Sequence, residues 1–362
     1  MKITDVQAHL LAIPVKEVDF PFPWKSREFY HIIVEIKTDE GVTGYGDAFG
    51  YGVPHATAAV INHVLKPMIT GEDPTNISSL QDQMYRQTHL YGRYGITTFA
   101  ISGVDIALWD IAGKCAGLPL YRLWGGVKDM KVPAYASLLR YNDLDKLEAA
   151  ALHAHRAGYD MIKIHQVDVE SLKTVRQVVG QDTRLMMDIN CAWSPEKALE
   201  MAQKFAPYHL HWLEEPIWPP EDFQSLSRLG YLSATPIAAG ENACTAYQFK
   251  AMVEAGAATY IQPSVTKVGG ISEWRKVAVL AETYNVKVAP HSPYFGPGLL
   301  ATAHLVATTP WAELVEYYYV NLEASVFKQP LKPEKGYISL PEGPGLGLDI
   351  DPAVLQHYRV VS

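Results

Sequence analysis

The sequence predicts an α/β protein in which a (β/α)8-type barrel, a modified TIM barrel, carries an N-terminal α+β capping domain. Through the middle of the 362-residue chain, short apolar runs alternate with helical stretches, and the unit repeats about every 25 residues. A polar residue ends nearly every apolar run, whereas the first third of the chain has the pattern of an antiparallel sheet followed by helices. A barrel gathers the ends of all its strands at one mouth, which is the arrangement that such a repeat favours.

The capping domain is predicted over residues 1–124. An apolar opening run, then HIIVEIKT, a DEG turn and TGYGDAF together predict a three-stranded meander. From His55 the apolar spacing becomes helical, most clearly in TTFAISGVDIALWDIAGKCAG, and Gly117 with Pro119 just beyond it ends that helix. The LWGG sequence at 123–126 marks the boundary.

The barrel is predicted over residues 125–325, and residues 326–362 are predicted to be an extended, Pro/Gly-rich segment that folds back onto the capping domain. The eight predicted strands are YASLL, MIKIH, RLMMDIN, LHWLEEP, TPIAAGEN, TYIQPS, VKVAPHS and ELVEYYY. The polar residues that end seven of these runs are spaced 23 to 27 positions apart and are His165, Asp188, Glu214, Glu241, Ser264, His291 and Glu316. An open doubly wound sheet is the alternative, but it would scatter these residues along an edge.

The composition indicates a globular protein that acts on a small molecule. Apolar residues make up 48% of the chain and charged residues 19%, which excludes a disordered or collagen-like chain. The net charge of −8 and the lack of a Lys/Arg cluster argue against nucleic acid or an anionic membrane as the partner. Asp5 lies where a signal peptide needs apolar residues, and no run approaches the roughly 18 apolar residues of a membrane span, so we expect a cytoplasmic protein.

Three consecutive predicted strands each deliver one carboxylate to the mouth: Asp188, Glu214 and Glu241. Oxygen ligands suit Mg²⁺, which keeps its remaining coordination positions for water and substrate. A surface role is disfavoured because each carboxylate follows apolar strand sequence, where an unpaired charge is costly to bury. We therefore predict a Mg²⁺ site. Glu215 should point to the opposite side and join a network with a basic residue.

Candidate acid and base groups flank these carboxylates. Lys163 and His165 alternate on the second strand and therefore share a face, while His291 ends the seventh strand. For Lys163 the alternative is an ion pair with a metal-binding carboxylate. Asn190, two residues beyond Asp188, either hydrogen-bonds a substrate hydroxyl or forms an Asx-type turn.

In this arrangement the chain resembles the enolase superfamily, and within it the mandelate racemase/muconate lactonizing enzyme group. The resemblance covers nearly the whole chain, in which the group's motifs recur in order as K-I-H (163–165), D-I-N (188–190), W-L-E-E-P (212–216), G-E-N (240–242), K-V-G-G (267–270) and A-P-H-S (289–292). It implies Mg²⁺ on the three carboxylates and removal of a proton α to a substrate carboxylate, giving an enediolate. It also implies a homo-oligomer.

The sequence departs from the family pattern in two places. Typical members have a second lysine on strand two, but this chain has His165, whose imidazole can act as a base at neutral pH. Other members have Asp or Lys on strand six, but this chain has Ser264, which we expect to orient His291 by a hydrogen bond without offsetting its charge. Lys267 matches another lysine of the family, and an ion pair beside Glu241 is its expected role.

Dehydration of a sugar acid or a related 2-hydroxy acid is the favoured reaction, with one of His165 and His291 as the base and the other as the acid. Racemisation or epimerisation and cycloisomerisation of a carboxylic acid are alternatives on the same scaffold. Glu316 matches a residue that hydrogen-bonds the substrate carboxylate in the racemase. If protonated, Glu316 could act as an electrophile towards the substrate. The alternative is that Glu316 has a structural role.

Substrate specificity is expected from two loops of the capping domain, 20–30 and 49–55, with Trp24 and His55 as candidate contacts. The first loop is rich in aromatic residues, which favours a less polyhydroxylated acid than a hexarate. Two hypotheses of other classes are a metal-free Schiff-base lyase that uses a lysine as nucleophile and a barrel that has lost turnover and only binds a ligand.

Overall fold

The computed structural model describes residues 1–16, 28–127 and 129–360. The strands are β1 (Ile3–Pro14), β2 (Glu28–Thr38), β3 (Thr43–Ala48), β4 (Lys131–Ser137), β5 (Met161–Ile164), β6 (Arg184–Asp188), β7 (Trp212–Glu214), β8 (Ile237–Ala239), β9 (Tyr260–Ile261), β10 (Lys287–Val288), β11 (Val315–Tyr318) and β12 (Tyr337–Ser339). The α-helices are α1 (Pro54–Val60), α2 (Lys66–Ile69), α3 (Ile77–Gln87), α4 (Ile96–Ala116), α5 (Leu120–Leu123), α6 (Leu144–Arg156), α7 (Val169–Val179), α8 (Pro195–Phe205), α9 (Phe223–Leu232), α10 (Thr245–Glu254), α11 (Gly270–Thr283), α12 (Pro297–Ala307) and α13 (Pro352–His357). A short π-helix covers Ile61–Leu65, and a 3-10 turn covers Ala206–Tyr208.

The capping domain is built on the predicted meander, in which β1, β2 and β3 pair antiparallel in chain order. Helix α4 lies against this sheet at very short range because Gly103 carries no side chain there. A Cβ at Gly103 would lie 2.7 Å from Cγ2 of Val34 and 2.8 Å from Cβ of Ala48. The helix ends at the predicted place, where Gly117 takes the left-handed conformation with φ of 65°.

Helix α4 is also the described helix that is long and apolar enough to cross a membrane by composition alone. However, 78% of its most apolar window is buried inside the protein, between the sheet and the neighbouring helices. Its apolar character is thus accounted for by core packing.

The barrel follows as predicted from β4 to β11, eight parallel strands in the described part of the chain. Their hydrogen-bonded order is β10-β9-β8-β7-β6-β5-β4-β11, and a parallel bridge between Val288 and Ala312 connects β10 to the segment just before β11. One helix of α6 to α12 follows each of the first seven strands. The eighth strand departs from a complete (β/α)8 repeat, because the described chain continues from β11 into irregular structure and then β12.

The C-terminal segment contacts both parts of the protein. Strand β12 pairs antiparallel with β4 of the barrel, whereas Arg359 bridges to Leu11 and Gly345 to Pro119 in the capping region. The segment was expected to fold back onto the capping domain, and it also adds a strand beside the barrel.

Side chains fill the barrel interior, which is therefore a packed core and not a pore. Residues of the barrel strands, or directly adjoining them, form one buried cluster that consists of Tyr135, Met161, Met186, Trp212, Ala238, Tyr260, Ala289 and Leu314. On the outside, helices α6 to α9 begin at side-chain caps that accept a backbone N–H three residues on, namely Asp143, Asp168, Ser194 and Asp222. Since the interior is full, a ligand site has to lie at the ends of the strands.

A buried histidine outside the mouth gives a stability prediction. Burial lowers the pKa of His304 on α12 to about 4, although its Nε2 lies 2.9 Å from the Leu346 carbonyl, which raises it. Because the folded-state pKa lies below the ordinary value of about 6.5, the stabilisation from neutral His304 is complete above that value and is lost as the pH falls towards 4. We expect wild type to lose up to about 1.4 kcal/mol more per pH unit in this window than His304→Gln.

Urea unfolding of both proteins at pH 6.5, 5.5 and 4.5 measures this difference. Parallel pH dependences for His304→Gln and wild type would show that His304 is not held neutral by burial.

Candidate active site

Three carboxylates meet at the mouth of the barrel, as the sequence predicted. Asp188 ends β6, Glu214 ends β7, and Glu241 follows β8 after Gly240. One oxygen from each lies within 4.8 Å of the others. Asp188 and Glu214 are fully buried, and Oδ2 of Asp188 has no hydrogen-bond donor among the described residues. This all-oxygen donor set with an unsatisfied buried oxygen fits a divalent cation such as Mg²⁺.

Lys163 lies beneath the carboxylates. Its Nζ is 2.5 Å from Oε1 of Glu214, 2.9 Å from Oε1 of Glu316 and 3.6 Å from Oδ2 of Asp188. The side chain is completely buried and is not part of the cavity wall. These contacts favour the alternative raised from the sequence, in which Lys163 neutralises the carboxylates, over direct proton transfer to a substrate.

His165 is oriented by the first barrel strand. Its Nδ1 hydrogen-bonds to the carbonyl oxygen of Leu138, which can only accept, so Nδ1 carries the proton. In the neutral ring Nε2 then has a free lone pair, and it lies 3.2 Å from Oδ2 of Asp188 on the cavity wall. The ring is thus prepared to accept a proton on the cavity side.

His291 flanks the other end of the carboxylate cluster. Its Nε2 lies 3.3 Å from Oε2 of Glu241, and its Nδ1 is buried without a partner among the described residues. Burial lowers the pKa of His291, while the charge of Glu241 acts in the opposite direction. The two histidines therefore lie beside different carboxylates of the cluster, Asp188 and Glu241.

Ser264 does not orient His291, so this expectation was wrong. Its hydroxyl lies 3.4 Å from the hydroxyls of Thr266 and Tyr294, and the Tyr294 hydroxyl in turn donates to the backbone carbonyl of His291. Ser264 thus supports the backbone at His291 through Tyr294, because its short side chain hydrogen-bonds to the neighbouring hydroxyls and makes no hydrogen bond to the imidazole.

Lys267 lies on the cavity wall, but it forms no ion pair with Glu241, contrary to expectation. Its ammonium instead lies 4.9 Å from the ring centre of Phe49 and 5.9 Å from that of Phe99. Both rings come from the capping domain, so the charge is stabilised by cation–π contacts across the two domains.

Glu316 also lies on the cavity wall, where it is hydrogen-bonded to Ser137 and Ser292 and forms an ion pair with Lys163. Oε1 accepts from Ser137 Oγ at 2.6 Å, and Oε2 accepts from Ser292 N at 2.9 Å. Burial raises the pKa of Glu316, but the charges of Lys163 and His291 and these hydrogen bonds outweigh it and lower the pKa to about 2. Glu316 is therefore a carboxylate at neutral pH, and the protonated electrophile considered from the sequence is not supported.

Glu215 has no basic partner in the described structure, which corrects the expected network. Its Oε1 accepts from Gly240 N at 2.8 Å, and its Oε2 accepts from Cys191 Sγ at 3.3 Å. Burial, followed by the charge of Glu241, raises the pKa of Glu215 to about 7. Its role is to hold the backbone beside the third carboxylate.

Arg140 is a cavity residue that the sequence reasoning missed. Its Nη2 donates to Oδ1 of Asn190 at 2.9 Å, and its Nε donates to the His165 carbonyl at 3.1 Å. Asn190 itself donates from N and Nδ2 to Oδ1 of Asp188, so the turn and the side-chain contact occur together. The signal was present, because one step of 25 residues back from His165 in the strand-end series arrives at Arg140.

We expect Arg140→Met to lower kcat about 10- to 100-fold, because the backbone of His165 and the Asn190–Asp188 pair would lose their common donor. KM should change less, and Arg140→Lys should restore part of kcat. Arg156→Met, at the exposed end of α6, is the control. A change in KM alone would instead place Arg140 in direct substrate binding.

The site opens into a cavity of about 860 Å³ between the barrel mouth and the capping sheet. The capping domain supplies a roof from β2, β3 and the loop after β3: Glu28, Phe29, Tyr30, His31, Asp47, Ala48, Phe49, Gly50, Tyr51 and Gly52. The predicted loop 49–55 thus contributes in part. His55 is exposed on α1 and does not line the cavity, and Trp24 lies outside the described residues.

Comparison with known proteins agrees with this geometry. Residues 25–125 match the family described as the mandelate racemase/muconate lactonizing enzyme N-terminal domain, and residues 146–354 match the enolase C-terminal domain-like family. The chain is 35% identical over 343 residues to an arabinonate dehydratase of Saccharolobus solfataricus, covering 91% of each chain. It is 31% identical to a D-galactarolactone cycloisomerase of Agrobacterium fabrum over 99% of each chain.

A solved structure of the 3,6-anhydro-D-galactonate cycloisomerase from Zobellia galactanivorans superimposes with a TM-score of 0.88 at 31% identity and covers 100% of each chain. A capped barrel with three carboxylates between two histidines is the framework of an enzyme that removes a proton beside a carboxylate. The chain belongs to the enolase superfamily, in its mandelate racemase/muconate lactonizing enzyme group. It is accordingly a lyase or an isomerase whose relatives act on sugar acids.

Proposed function

We propose that this protein is a Mg²⁺-dependent dehydratase of a sugar acid, in which His165 is the base and His291 the acid. The observation that carries the proposal is the pair of imidazoles beside opposite ends of one carboxylate cluster, each on the wall of the same cavity or buried against it. Elimination needs one group to take the α-proton and another to protonate the departing β-hydroxyl.

The metal would be held by Asp188, Glu214 and Glu241, and members of the superfamily bind Mg²⁺. When bound, the cation supplies positive charge that stabilises the negative charge developing on the substrate carboxylate. Lys163 and Glu316 stabilise this cluster from below, since their ion pair joins it at 2.9 Å.

His165 is the better candidate for the base because its tautomer is fixed. The Leu138 carbonyl holds the proton on Nδ1, which leaves Nε2 free to accept the α-proton on the cavity side. Nε2 of His291 lies equally close to a carboxylate, that of Glu241, but Nδ1 of His291 has no acceptor among the described residues, so the proton of this ring is free to reside on Nε2. These differences support an asymmetric pair, with His165 taking the proton and His291 giving one.

Cycloisomerisation is the second candidate, because two of the relatives above are named cycloisomerases at identities similar to the dehydratase. Both reactions begin with the same proton abstraction. They differ in whether the second group protonates a hydroxyl that leaves as water or a ring oxygen that remains in the product.

The partner we propose is therefore a small carboxylic acid, with no role for nucleic acid or a membrane surface. The net charge of −8 supports this proposal, and part of that charge lies in the carboxylate cluster. A cytoplasmic location and a homo-oligomeric state complete the proposal, and size-exclusion chromatography with light scattering would test the latter.

Deuterium exchange tests the proposed function. The enzyme is incubated in D₂O with Mg²⁺ and a library of aldonates, ω-deoxy aldonates, hexarates, sugar lactones and aromatic 2-hydroxy acids, and α-deuteration and 2-keto acid products are recorded by NMR. We expect exchange and water loss with at least one sugar acid, both abolished by EDTA and restored by Mg²⁺. Absence of both exchange and 2-keto acid formation across the library would refute the proposal, and ring opening or closure without water loss would favour the cycloisomerase.

A further inference from the structure

Two polar residues of the capping sheet line the cavity but have no role in the chemistry above: His31 on β2 and Asp47 on β3. Asp47 pairs with Ile33 across the two strands, and His31 is two residues from Ile33, so both face the same side of the sheet. Their exposed fractions are 2% and 4%. The roof of the cavity thus contains a buried polar pair.

Asp47 is a buried carboxyl group with no cationic partner among the described residues. Its Oδ2 accepts a 3.2 Å hydrogen bond from Gly298 N in the first turn of α12, and no described residue donates to Oδ1. A Cβ at Gly296 would lie 2.8 Å from Oδ2, so glycine there permits the approach. Burial raises the pKa of Asp47 to about 7, opposed only by the Gly298 hydrogen bond. A ligand that donates to the unused oxygen would offset this cost.

His31 is a buried imidazole on the cavity wall, and its Nε2 has no hydrogen-bond partner among the described residues. Its ring packs beside two aromatic neighbours, 5.0 Å from the centre of Phe29 and 6.3 Å from that of Phe295. Burial lowers the pKa of His31 to about 4, so the ring is neutral at pH 7. A neutral imidazole offers one donor and one acceptor, which suits a hydroxyl group better than an anion.

The charges of the residues in the roof also favour a hydroxyl over a carboxylate at this end of the cavity. Among the described residues of the capping domain that line the cavity, the ionisable carboxyl groups are Glu28 and Asp47, and none is Lys or Arg. A second carboxylate of the substrate at this end would meet these two carboxyl groups, which is unfavourable in a buried site, and the described cations of the cavity wall, Arg140 and Lys267, both belong to the barrel. A hydroxyl can donate to Asp47 and pair with His31 at no charge cost.

We propose that His31 and Asp47 form a subsite for a hydroxyl group at the end of the substrate remote from the reacting carboxylate. The hydroxyl donates to Oδ1 of Asp47 and exchanges a second hydrogen bond with the imidazole of His31. The preferred substrate is then a monocarboxylic polyhydroxy acid, an aldonate, rather than an ω-deoxy acid or a hexarate. This inference rests on the proposed function, because it names the substrate class of the same site.

The test compares kcat/KM for C5 and C6 aldonates, each diastereomer paired with its ω-deoxy analogue, and for the matching hexarates. In wild type we expect the best aldonate to exceed its ω-deoxy analogue by about 10- to 100-fold, with the hexarate no better than the ω-deoxy acid. His31→Phe and Asp47→Asn should each reduce this ratio by about tenfold through KM, with kcat for the ω-deoxy acid little changed. Phenylalanine preserves the aromatic packing, and asparagine still accepts from Gly298 N.

His63→Phe is the matched control, since His63 is exposed on the capping domain away from the cavity, and its ratio should equal that of wild type. Urea unfolding of each variant confirms folding. Three results would overturn the subsite while leaving proton abstraction intact. These are an aldonate to ω-deoxy kcat/KM ratio near one in wild type, a ratio that is unchanged in both variants, and a preference for the hexarate. Absence of both exchange and 2-keto acid formation with every acid would instead remove the proposed function and the subsite together.

Discussion

Glu241→Gln is expected to reduce α-proton exchange by about 10³-fold while the protein remains folded. The substitution keeps the shape of the side chain but removes one of three negative charges whose oxygens lie within 4.8 Å of one another. A neutral amide binds Mg²⁺ more weakly than a carboxylate, and the positive charge that stabilises the transition state is lost with the ion. Glu241 is the least buried of the three carboxylates, so its replacement disturbs folding least.

Two measurements check this expectation: exchange of the best acid in D₂O, and Mg²⁺ titration by calorimetry. Glu254→Gln is the control, because Glu254 is exposed on α10 and its partners in the described part of the chain are Lys250 and the hydroxyl of Tyr284. We expect Glu241→Gln to lower both the exchange rate and the Mg²⁺ affinity, and Glu254→Gln to change neither. Wild-type Mg²⁺ affinity in Glu241→Gln would exclude Glu241 as a ligand.

His165→Asn is expected to lower exchange about 10²- to 10⁴-fold, the contribution that a positioned general base makes. His291→Asn should instead leave exchange measurable and block loss of the β-hydroxyl by a similar factor. The reason is the different environment of Nδ1 in each ring: the Leu138 carbonyl fixes the proton on Nδ1 of His165, whereas Nδ1 of His291 has no acceptor among the described residues and its proton can reside on Nε2. Asparagine keeps a polar group of similar reach in both positions.

Exchange is measured separately from elimination by following the α-proton and the 2-keto acid in the same NMR experiment. His63→Asn, an exposed histidine of the capping domain, is the control for the substitution itself. If His291→Asn abolished proton exchange and His165→Asn blocked only elimination, His291 would be the base and His165 the acid. Equal, mild losses in both variants would contradict both assignments.

The barrel and the core of the site were predictable because strand periodicity encodes them. Seven of the eight predicted barrel strands end in a polar residue at nearly constant spacing, so the sequence alone indicated that Asp188, Glu214 and Glu241 meet at one mouth between His165 and His291. The same spacing of about 25 residues also places Arg140 at the end of the first predicted barrel strand, 25 positions before His165.

Partners of individual side chains were harder to predict. Ser264 was expected to contact His291 and instead contacts Thr266 and Tyr294, and Lys267 was expected beside Glu241 and instead lies over Phe49. Residue spacing fixes which face of a strand a side chain occupies, but the nearest acceptor depends on distances of an ångström or two in the folded protein. Short side chains such as serine are the most sensitive to such distances.

The sequence by itself determined the order of the barrel strands, the three carboxylates and the two histidines, because these depend on local alternation and on a repeat along the chain. Only the tertiary structure decided what covers the site. Asp47 meets Gly298 across 251 positions of sequence, and His31 reaches the cavity through strand pairing in a different domain. No periodicity links residues so far apart, since their contact results from the packing of one folded layer on another.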